Sequence, residues 1–301
     1  MGLMDSLKNL FSGGGSAKGA KGAKKLPRID LNKRFELIAR LGQGSMSKVW
    51  RARDRTINRV VCIKLLDKVK TAKFEARFTG SNKPQEGAVC VSLKHPNIVT
   101  TYEHGLTFQG EPYLIMELIE GLGFNFLVET KASQLTGNRV NFLLQLTDAI
   151  DYVHQHGSLH RDICPRNVMV TKANVVKIID FGLAVPNTPD FRKPGNRTGT
   201  PNYLAPELIK RVATDHRVDM FALGVTAYEV FTGHLPWERA ESLQTLLSHL
   251  NSPGRDPRER RPDLDDATAK FLIKAIERDP NRRFQSATDF REALARLPAG
   301  Q

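Results

Sequence analysis

Residues 160–167 read HRDICPRN, and residues 180–182 read DFG. A carboxylate can accept a hydrogen bond from a hydroxyl, and carboxylate and amide oxygens are ligands that Mg²⁺ prefers. Asp162, Asn167 and Asp180 carry such groups. Acids and amides of this kind also cap turns and short strands. The two motifs in this order favour a joint chemical role.

Short β-rich runs precede these motifs. The runs FELIARLG, KVWRARD and RVVCIKLL, between positions 35 and 66, predict three antiparallel strands. A second strand pair is predicted at 100–106 and 113–118. The first part of the chain is therefore expected to be mostly sheet.

Beyond Gly121 the apolar residues recur at the spacing of an α-helix rather than in short β-rich runs. Apolar residues recur at helical spacing from Val140 to Val153, and Gly157 is a natural stop for this helix. Further helices are predicted at 218–231, 242–250, 267–276 and 286–297. We expect an α+β fold of two lobes, with a connection near 118–121. Residues 28–119 would form a β-rich lobe that contains one helix, and residues 120–301 would form a mainly helical lobe.

Composition sets broad limits on function. The 301 residues are 40% hydrophobic and 26% charged, which suits a globular core. The net charge of +13 suits a nucleic-acid binder, an anionic surface or a phosphate-handling enzyme, and does not choose among them. The three cysteines lack the spacing of a disulfide framework or a zinc site. Without an apolar run of about 18 residues or a secretory signal, a cytoplasmic protein is expected.

Residues 1–27 differ in composition from the rest of the chain. The stretch GGGSAKGAKGAKK at 13–25 predicts a flexible basic tail, and apolar residues recur at helical spacing between Leu3 and Phe11. An amphipathic turn followed by lysines favours weak contact of residues 1–26 with an anionic membrane or an acidic partner, which would make the protein peripheral at the membrane. A disordered terminus is the equally open alternative.

From about residue 34 to residue 297 the order of motifs resembles the protein kinase signature set. Stretches such as RFELIARLGQGSMSKVWRARD, LKHPNIV and GTPNYLAPE are similar to the bacterial branch of the eukaryotic-type, or Hanks-type, serine/threonine protein kinases. The resemblance implies a bilobal kinase fold and transfer of the γ-phosphate of ATP, with Mg²⁺, to serine or threonine hydroxyls of protein substrates in signalling. It also implies that Asp162 orients the acceptor hydroxyl and that Asn167 and Asp180 hold the Mg²⁺. It implies no specific nucleic acid partner.

The resemblance also implies a nucleotide site. In the loop LGQGSMSKV, Gly42 and Gly44 would let backbone N–H groups approach phosphates. Lys64 would hold the α- and β-phosphates and Glu86 would pair with Lys64, although Gly80 and Pro84 predict a short, late or broken helix around Glu86. The residues implied for binding the adenine of ATP are the following: Leu41, Val49, Cys62 and Met169 around the adenine ring, Met116 as gatekeeper, and Glu117 and Ile119 on the hinge. Core packing explains the apolar members equally well.

Two positions depart from the serine/threonine kinase pattern. Cys164 stands where the family has a lysine that contacts the γ-phosphate, and a thiol cannot supply that cation. Arg166 stands where tyrosine kinases carry an arginine that reaches the same region, so it is expected to stabilise the transferring group. Gly123 lies near the place of the ribose-binding acid.

Regulation is expected in the segment from Asp180 to Glu207. In the family an arginine at the position of Arg161 binds a phosphate on this segment. Thr200 matches the threonine that marks serine/threonine specificity, which leaves Thr198 as the first candidate for phosphorylation and Thr188 as the second. Asp219 is expected to brace the catalytic loop, Arg283 to pair with Glu207, and Arg192, Lys193 and Arg197 to surround Thr198 with positive charge.

Two rival functions remain. A pseudokinase that binds nucleotide or a partner without catalysis is favoured by Cys164, by Gly123 and by the irregular helix expected around Pro84. The residues whose presence opposes it are Lys64, Asp162, Asn167 and Asp180. A small-molecule phosphotransferase is opposed by the APE sequence at 205–207.

Overall fold

The computed structural model describes residues 26–43, 47–78, 83–195 and 198–298. The predicted tail therefore lies outside the described residues apart from Leu26 and Pro27, and so do Gly44, Gly80 and Arg197. The chain divides into two compact units. One runs to Lys94 and includes Val99–Ile119, and the other comprises His95–Ile98 and the chain from Glu120 onward.

The first unit is built on a β-sheet. Among the described residues its strands lie in the order β1-β5-β6-β4-β3-β2, with β1 parallel to β5 and the other pairs antiparallel. The three strands predicted between positions 35 and 66 are β2, β3 and β4. The bounds are β1 (Arg28–Ile29), β2 (Phe35–Gln43), β3 (Ser47–Asp54), β4 (Arg59–Leu66), β5 (Thr101–Thr107) and β6 (Pro112–Met116).

The two faces of this sheet have different residues. One face forms a core cluster of Phe35, Ala52, Val61, Ile63, Tyr113 and Ile115. Residues that lie opposite each other on neighbouring strands share a face, as do residues two apart on one strand. Val49 lies opposite Lys64 and Cys62 lies opposite Met116, so these four side chains share the other face. The alternation of β4 thus places the candidate nucleotide residues together.

Among its described residues, the first unit contains two main helical segments where the sequence predicted one. After α1 (Leu31–Arg34) come α2 (Lys68–Glu75), which a 3₁₀ turn extends over Ala76–Phe78, and α3 (Glu86–Ser92). Asp67 caps α2 by accepting hydrogen bonds from the amides of Val69 and Lys70. Pro84 has no N–H donor and disfavours a helical residue before it, so α3 begins only at Glu86.

The second unit is mainly helical. Its helices are α4 (Phe124–Glu129), α5 (Arg139–Gln155), α6 (Pro189–Arg192), α7 (Pro206–Ile209), α8 (Arg217–Thr232), α9 (Leu243–Ser248), α10 (Asp266–Ala275) and α11 (Ala287–Ala295). Short strands form a sheet in the order β10-β9-β7 and a pair β11-β8: β7 (Gly121–Gly123), β8 (Ser158–Leu159), β9 (Val168–Thr171), β10 (Val176–Ile178) and β11 (Val185–Pro186). Among the described residues, no helix combines the length and the apolarity needed to span a bilayer.

Helix α8 is the centre of this unit because almost all of its side chains are buried. A Cβ on Gly224 would lie 2.3 Å from the carbonyl oxygen of Ala275, so glycine permits the close approach of α8 to the end of α10. The helix ends at Gly233, which has φ +75° and donates its amide to Glu229. Asp219 lies in the first turn of α8 and is fully buried, so it is held within this core.

Candidate active site

The segment 160–167 is anchored to α8 by a single buried carboxylate. Asp219 accepts the amides of His160 and Arg161, each at 2.8 Å, and its Oδ2 lies 2.8 Å from His154 Nε2. Burial alone would raise the pKa of Asp219, but the hydrogen bonds and charges of His154 and His160 hold it below its usual value. Arg161 has φ +63°, an uncommon conformation for a residue with a side chain, and the bonds to Asp219 hold it there.

The carboxylate of Asp162 is oriented from two sides. Its Oδ1 accepts the Thr200 hydroxyl at 2.7 Å and the Thr200 amide at 2.8 Å. Its Oδ2 accepts the side-chain amide of Asn167 at 2.8 Å. A carboxylate has about four acceptor positions, so these three bonds from described residues leave one for another donor. The arrangement suits a carboxylate that receives an acceptor hydroxyl.

Asn167 and Asp180 have the donor atoms that a magnesium ion prefers. The Asn167 amide nitrogen donates to the backbone oxygen and the carboxylate of Asp162, both at 2.8 Å, so its carbonyl oxygen points away from Asp162. The amide of Ile179 donates to the backbone oxygen of Asn167 at 3.0 Å, which places Asp180 beside this residue. Carboxylate and amide oxygens are ligands of Mg²⁺, and substrate phosphates commonly complete such a site. The residues present therefore fit the ion.

Cys164 supplies no charge to this loop. Its side chain is 1% exposed, and its sulfur lies 3.8 Å from the Thr200 hydroxyl oxygen. Burial, reinforced by the charge of Asp162, raises the pKa of the thiol to about 12. The side chain is therefore neutral near neutral pH, at the position where the family carries a cation.

Arg166 is exposed on the 3₁₀ turn Pro165–Asn167. Its positive charge acts on Tyr203 and on Glu229 of α8, which form a short hydrogen bond from the phenol to the carboxylate. Burial raises the pKa of Glu229, while Tyr203, Arg239 and Arg166 oppose this rise. Spacing along the chain did not reveal the Tyr203–Glu229 pair. Its only sequence signal was a tyrosine within GTPNYLAPE.

In the first unit, Lys64 is paired with Glu86. The ammonium nitrogen lies 2.7 Å from Glu86 Oε1, and the two side chains are only 7% and 11% exposed. A buried pair of this geometry fixes the direction of the lysine side chain. Since α3 begins at Glu86, the glutamate lies at the first residue of its helix.

The other candidate nucleotide-binding residues of the first unit lie on the sheet strands or directly after β6. Met116 is buried and Val49 and Cys62 are half-buried, whereas Leu41 is exposed. A Cβ on Gly42 would meet none of the described residues within 4 Å, so neither packing against them nor a positive φ requires this glycine. Its absent side chain leaves room for a ligand.

After β6, the Glu117 amide donates to the Thr100 oxygen at 2.9 Å and the Glu117 carboxylate accepts the Thr100 amide at 2.7 Å. Ile119 is half-buried. Met169 belongs to the second unit, where it is half-buried in β9, opposite Gly123 of β7.

Arg161 has an unusual side-chain environment. Its Nη2 donates to the Phe191 oxygen at 2.6 Å and to the Thr214 hydroxyl at 3.2 Å. Its Nε and Nη1 are buried and have no hydrogen-bond partner within the described parts of the chain. Burial lowers the pKa of Arg161, and the charge of Asp219 opposes this. Buried N–H donors without acceptors are costly, so this guanidinium is suited to receive an anion.

The segment around Thr198 is only partly described. The Thr198 hydroxyl is buried and, like the two Arg161 nitrogens, has no partner among the described residues. Arg192 donates to Asn187 at 2.8 and 3.0 Å, and Lys193 pairs with Asp190 at 2.7 Å. These two cations, expected to surround Thr198, therefore have local partners. Thr188 is the N-cap residue of α6, before Pro189.

Glu207 and Arg283 form a buried pair, as their family positions imply. The guanidinium donates to both carboxylate oxygens, at 3.0 and 2.7 Å, and also to the backbone oxygens of Glu277, Arg217 and Arg278. This pair fixes α7, which follows the segment that begins at Asp180.

An anchored HRD loop, an ordered Asn167 beside the DFG turn, and a paired lysine on a β-sheet are the parts of a protein kinase catalytic domain. The chain belongs to this family: the protein kinase domain model matches residues 35–295. This confirms the α+β kinase fold that the motifs predicted.

Three bacterial proteins illustrate what the chain is similar to. The chain is 32% identical to the serine/threonine-protein kinase PknB of Mycolicibacterium smegmatis over 279 residues, which are 90% of this chain and 44% of that protein. It is 31% identical to PknB of Mycobacterium tuberculosis, with the same coverage. It is 29% identical to the probable serine/threonine-protein kinase CPE1738 of Clostridium perfringens, covering 86% of this chain and 37% of that protein. The chain thus spans less than half the length of these relatives.

Proposed function

We propose that the chain transfers the γ-phosphate of ATP, with Mg²⁺, to serine or threonine hydroxyls of proteins. The observation that carries this proposal is the orientation of Asp162 by Thr200 and Asn167, since it leaves one acceptor position for an incoming hydroxyl. The names of the curated relatives support the same activity.

In this reaction the acceptor oxygen forms a bond to the γ-phosphorus, and the bond from that phosphorus to the bridging oxygen breaks, so ADP leaves. Asp162 accepts the hydroxyl proton. Lys64 binds the α- and β-phosphates, with Glu86 holding its direction. Asn167 and Asp180 would hold Mg²⁺, which would supply positive charge to the phosphate oxygens.

A protein acceptor is supported by an open cleft of about 510 Å³ in the second unit. Glu229, next to Tyr203, lies on its wall, together with Arg239, Arg255 and Arg260. Polar side chains of both signs suit an extended peptide better than a small apolar ligand.

Phosphoamino-acid analysis tests this function. The purified chain is incubated with radiolabelled ATP, Mg²⁺ and mixed protein acceptors, and the products are hydrolysed. We expect phosphoserine and phosphothreonine. Label in phosphotyrosine alone, or in small molecules alone, would contradict the proposal.

The second candidate function is a pseudokinase that binds nucleotide or a partner as a scaffold. The buried, neutral Cys164 favours it because the loop lacks the usual cation. Nucleotide binding without label transfer to any acceptor would favour this function over catalysis.

We further propose that the activation segment is autophosphorylated at Thr198, with Thr188 as the second site. The two buried donors of Arg161 support this, because a dianionic phosphate accepts several charge-assisted hydrogen bonds. Such a phosphate would connect the order of the segment to the loop that carries Asp162.

We also propose, from sequence alone, that the protein is cytoplasmic and that residues 1–26 bring it weakly to an anionic membrane. Flotation with phosphatidylserine vesicles should fall when residues 1–26 are deleted. Equal flotation of the full chain and the deleted chain would contradict membrane contact. If the deletion abolishes binding of an acidic protein and leaves flotation unchanged, residues 1–26 bind that partner.

A further inference from the structure

The start of helix α3 determines where the Glu86 carboxylate lies. Within the described chain, the N-cap residue Gln85 makes no side-chain capping bond, and Pro84 precedes it. Helix ends fray unless side chains satisfy or brace their first turn. Because Glu86 is the first residue of α3, any fraying there would move the carboxylate away from Lys64.

Lys83 braces this start against the preceding helix. Its ammonium nitrogen lies 5.3 Å from the centroid of the Phe74 ring and 5.7 Å from that of Phe78. The two rings pack edge to face at 5.4 Å, and both residues are buried. A cation over aromatic rings is attracted more strongly where water is excluded. Lys83 thus connects the segment before α3 to α2 and its 3₁₀ extension.

Lys83 also acts on Glu86 through its charge. Burial lowers the pKa of Lys83, while the Glu86 carboxylate, followed by that of Glu75, raises it. An interaction that favours the charged lysine equally favours the charged glutamate. Glu86 is therefore stabilised by two ammonium groups, that of Lys64 at 2.7 Å and that of Lys83.

We propose that Lys83 is a positioning residue for phosphoryl transfer: held over Phe74 and Phe78, its ammonium group fixes the start of α3 and keeps Glu86 on Lys64. This inference rests on the proposed function for its catalytic effect. The anchoring itself can be measured without catalysis.

Hydrogen–deuterium exchange of the full chain tests the anchoring. Lys83→Gln should raise the exchange of peptides covering 86–92 at least threefold, and Lys83→Arg should restore protection because a guanidinium also binds aromatic faces. Lys73→Gln is the matched control, since Lys73 is exposed on α2. Unchanged exchange in Lys83→Gln would overturn the anchoring.

A double-mutant cycle tests the catalytic effect. Lys83→Gln should lower kcat/KM for Mg-ATP about tenfold without changing KM for the acceptor, and it should have little further effect in a Glu86→Gln background. If the effects of the two substitutions on kcat/KM are fully additive, the proposal is overturned. Higher activity in Lys83→Gln would also overturn it, since it would mean that Lys83 competes with Lys64 for the Glu86 carboxylate. A wild-type chain without transfer would contradict the proposed function, and the exchange of α3 would still decide the anchoring.

Discussion

The Thr200 hydroxyl donates a 2.7 Å hydrogen bond to Asp162 Oδ1, and the Thr200 amide donates a second, of 2.8 Å, to the same oxygen. The two residues are 38 positions apart, so this contact connects the loop at 160–167 with the segment that ends at Glu207. The orientation of the candidate base therefore depends on the conformation of that segment.

Removing the Thr200 hydroxyl should impair catalysis. We expect Thr200→Val to lower kcat about 100-fold, because a misplaced catalytic group costs about that factor. Thr200→Ser keeps the hydroxyl and should stay within about fivefold of the parent. Steady-state kinetics with both variants provides the check, and a Thr200→Val enzyme with the parent kcat would show that the amide alone orients Asp162.

Arg166 should supply the charge that Cys164 lacks. Preorganised charge in an active site is commonly worth about 100-fold in rate, so Arg166→Ala should lower kcat by about that factor and raise KM much less. Arg296→Ala, at an exposed arginine near the end of the described chain, is the control and should leave both constants unchanged. An unchanged kcat in Arg166→Ala would assign this arginine to the surface around Tyr203 and Glu229.

Thr198 should carry phosphate after incubation with Mg-ATP. Mass spectrometry of the parent protein is expected to find this phosphate, and the Asp162→Asn protein should lack it. Thr198→Ala should lower activity because Arg161 then has no phosphate to bind. An active enzyme without phosphate anywhere between Asp180 and Glu207 would show that Arg161 serves only to pack the loop.

The Glu207–Arg283 pair should be important for stability. The Arg283 side chain is fully buried and that of Glu207 is 9% exposed, so Arg283→Ala leaves an unpaired buried carboxylate. We expect the free energy of unfolding to fall by about 3–5 kcal/mol in urea titrations. The neighbouring Arg282→Ala removes an exposed arginine 3.9 Å from Glu277 and should cost less than about 1 kcal/mol. Equal costs would contradict the role of the buried pair.

Much of the fold could be predicted because its signals are local. Short β-rich runs identified β2 to β4, and a helical apolar stripe identified α5, because the composition and spacing of each segment favour its own type of element. Helix α2 was missed: its sequence KVKTAKFE has little apolar periodicity, and the capping residue Asp67 was its main signal.

The candidate site was less accessible to sequence reasoning. The order of motifs named Asp162, Asn167 and Lys64, and the resemblance named Glu86 as the partner of Lys64. Other contacts of the site depend on tertiary packing. The contact of Glu229 with Tyr203 and the contacts of Arg161 with Thr214 and the Phe191 oxygen join residues 26 or more positions apart. Spacing along the chain has no rule for such pairs. Likewise, Pro84 predicted an irregular helix, but not that Lys83 would lie over Phe74 and Phe78.

Transfer of ³²P from γ-labelled ATP by the purified chain and by its Asp162→Asn variant measures how far phosphoryl transfer depends on this carboxylate. Asp180→Ala serves as a second variant, and circular dichroism verifies that all three proteins are folded. We expect label in protein serine or threonine with the parent chain, and a loss of at least about 100-fold in each variant, because Asp162 would receive the hydroxyl proton and Asp180 would hold Mg²⁺. Folded variants that transfer phosphate at the parent rate would contradict the assignment of these two carboxylates and the mechanism built on them.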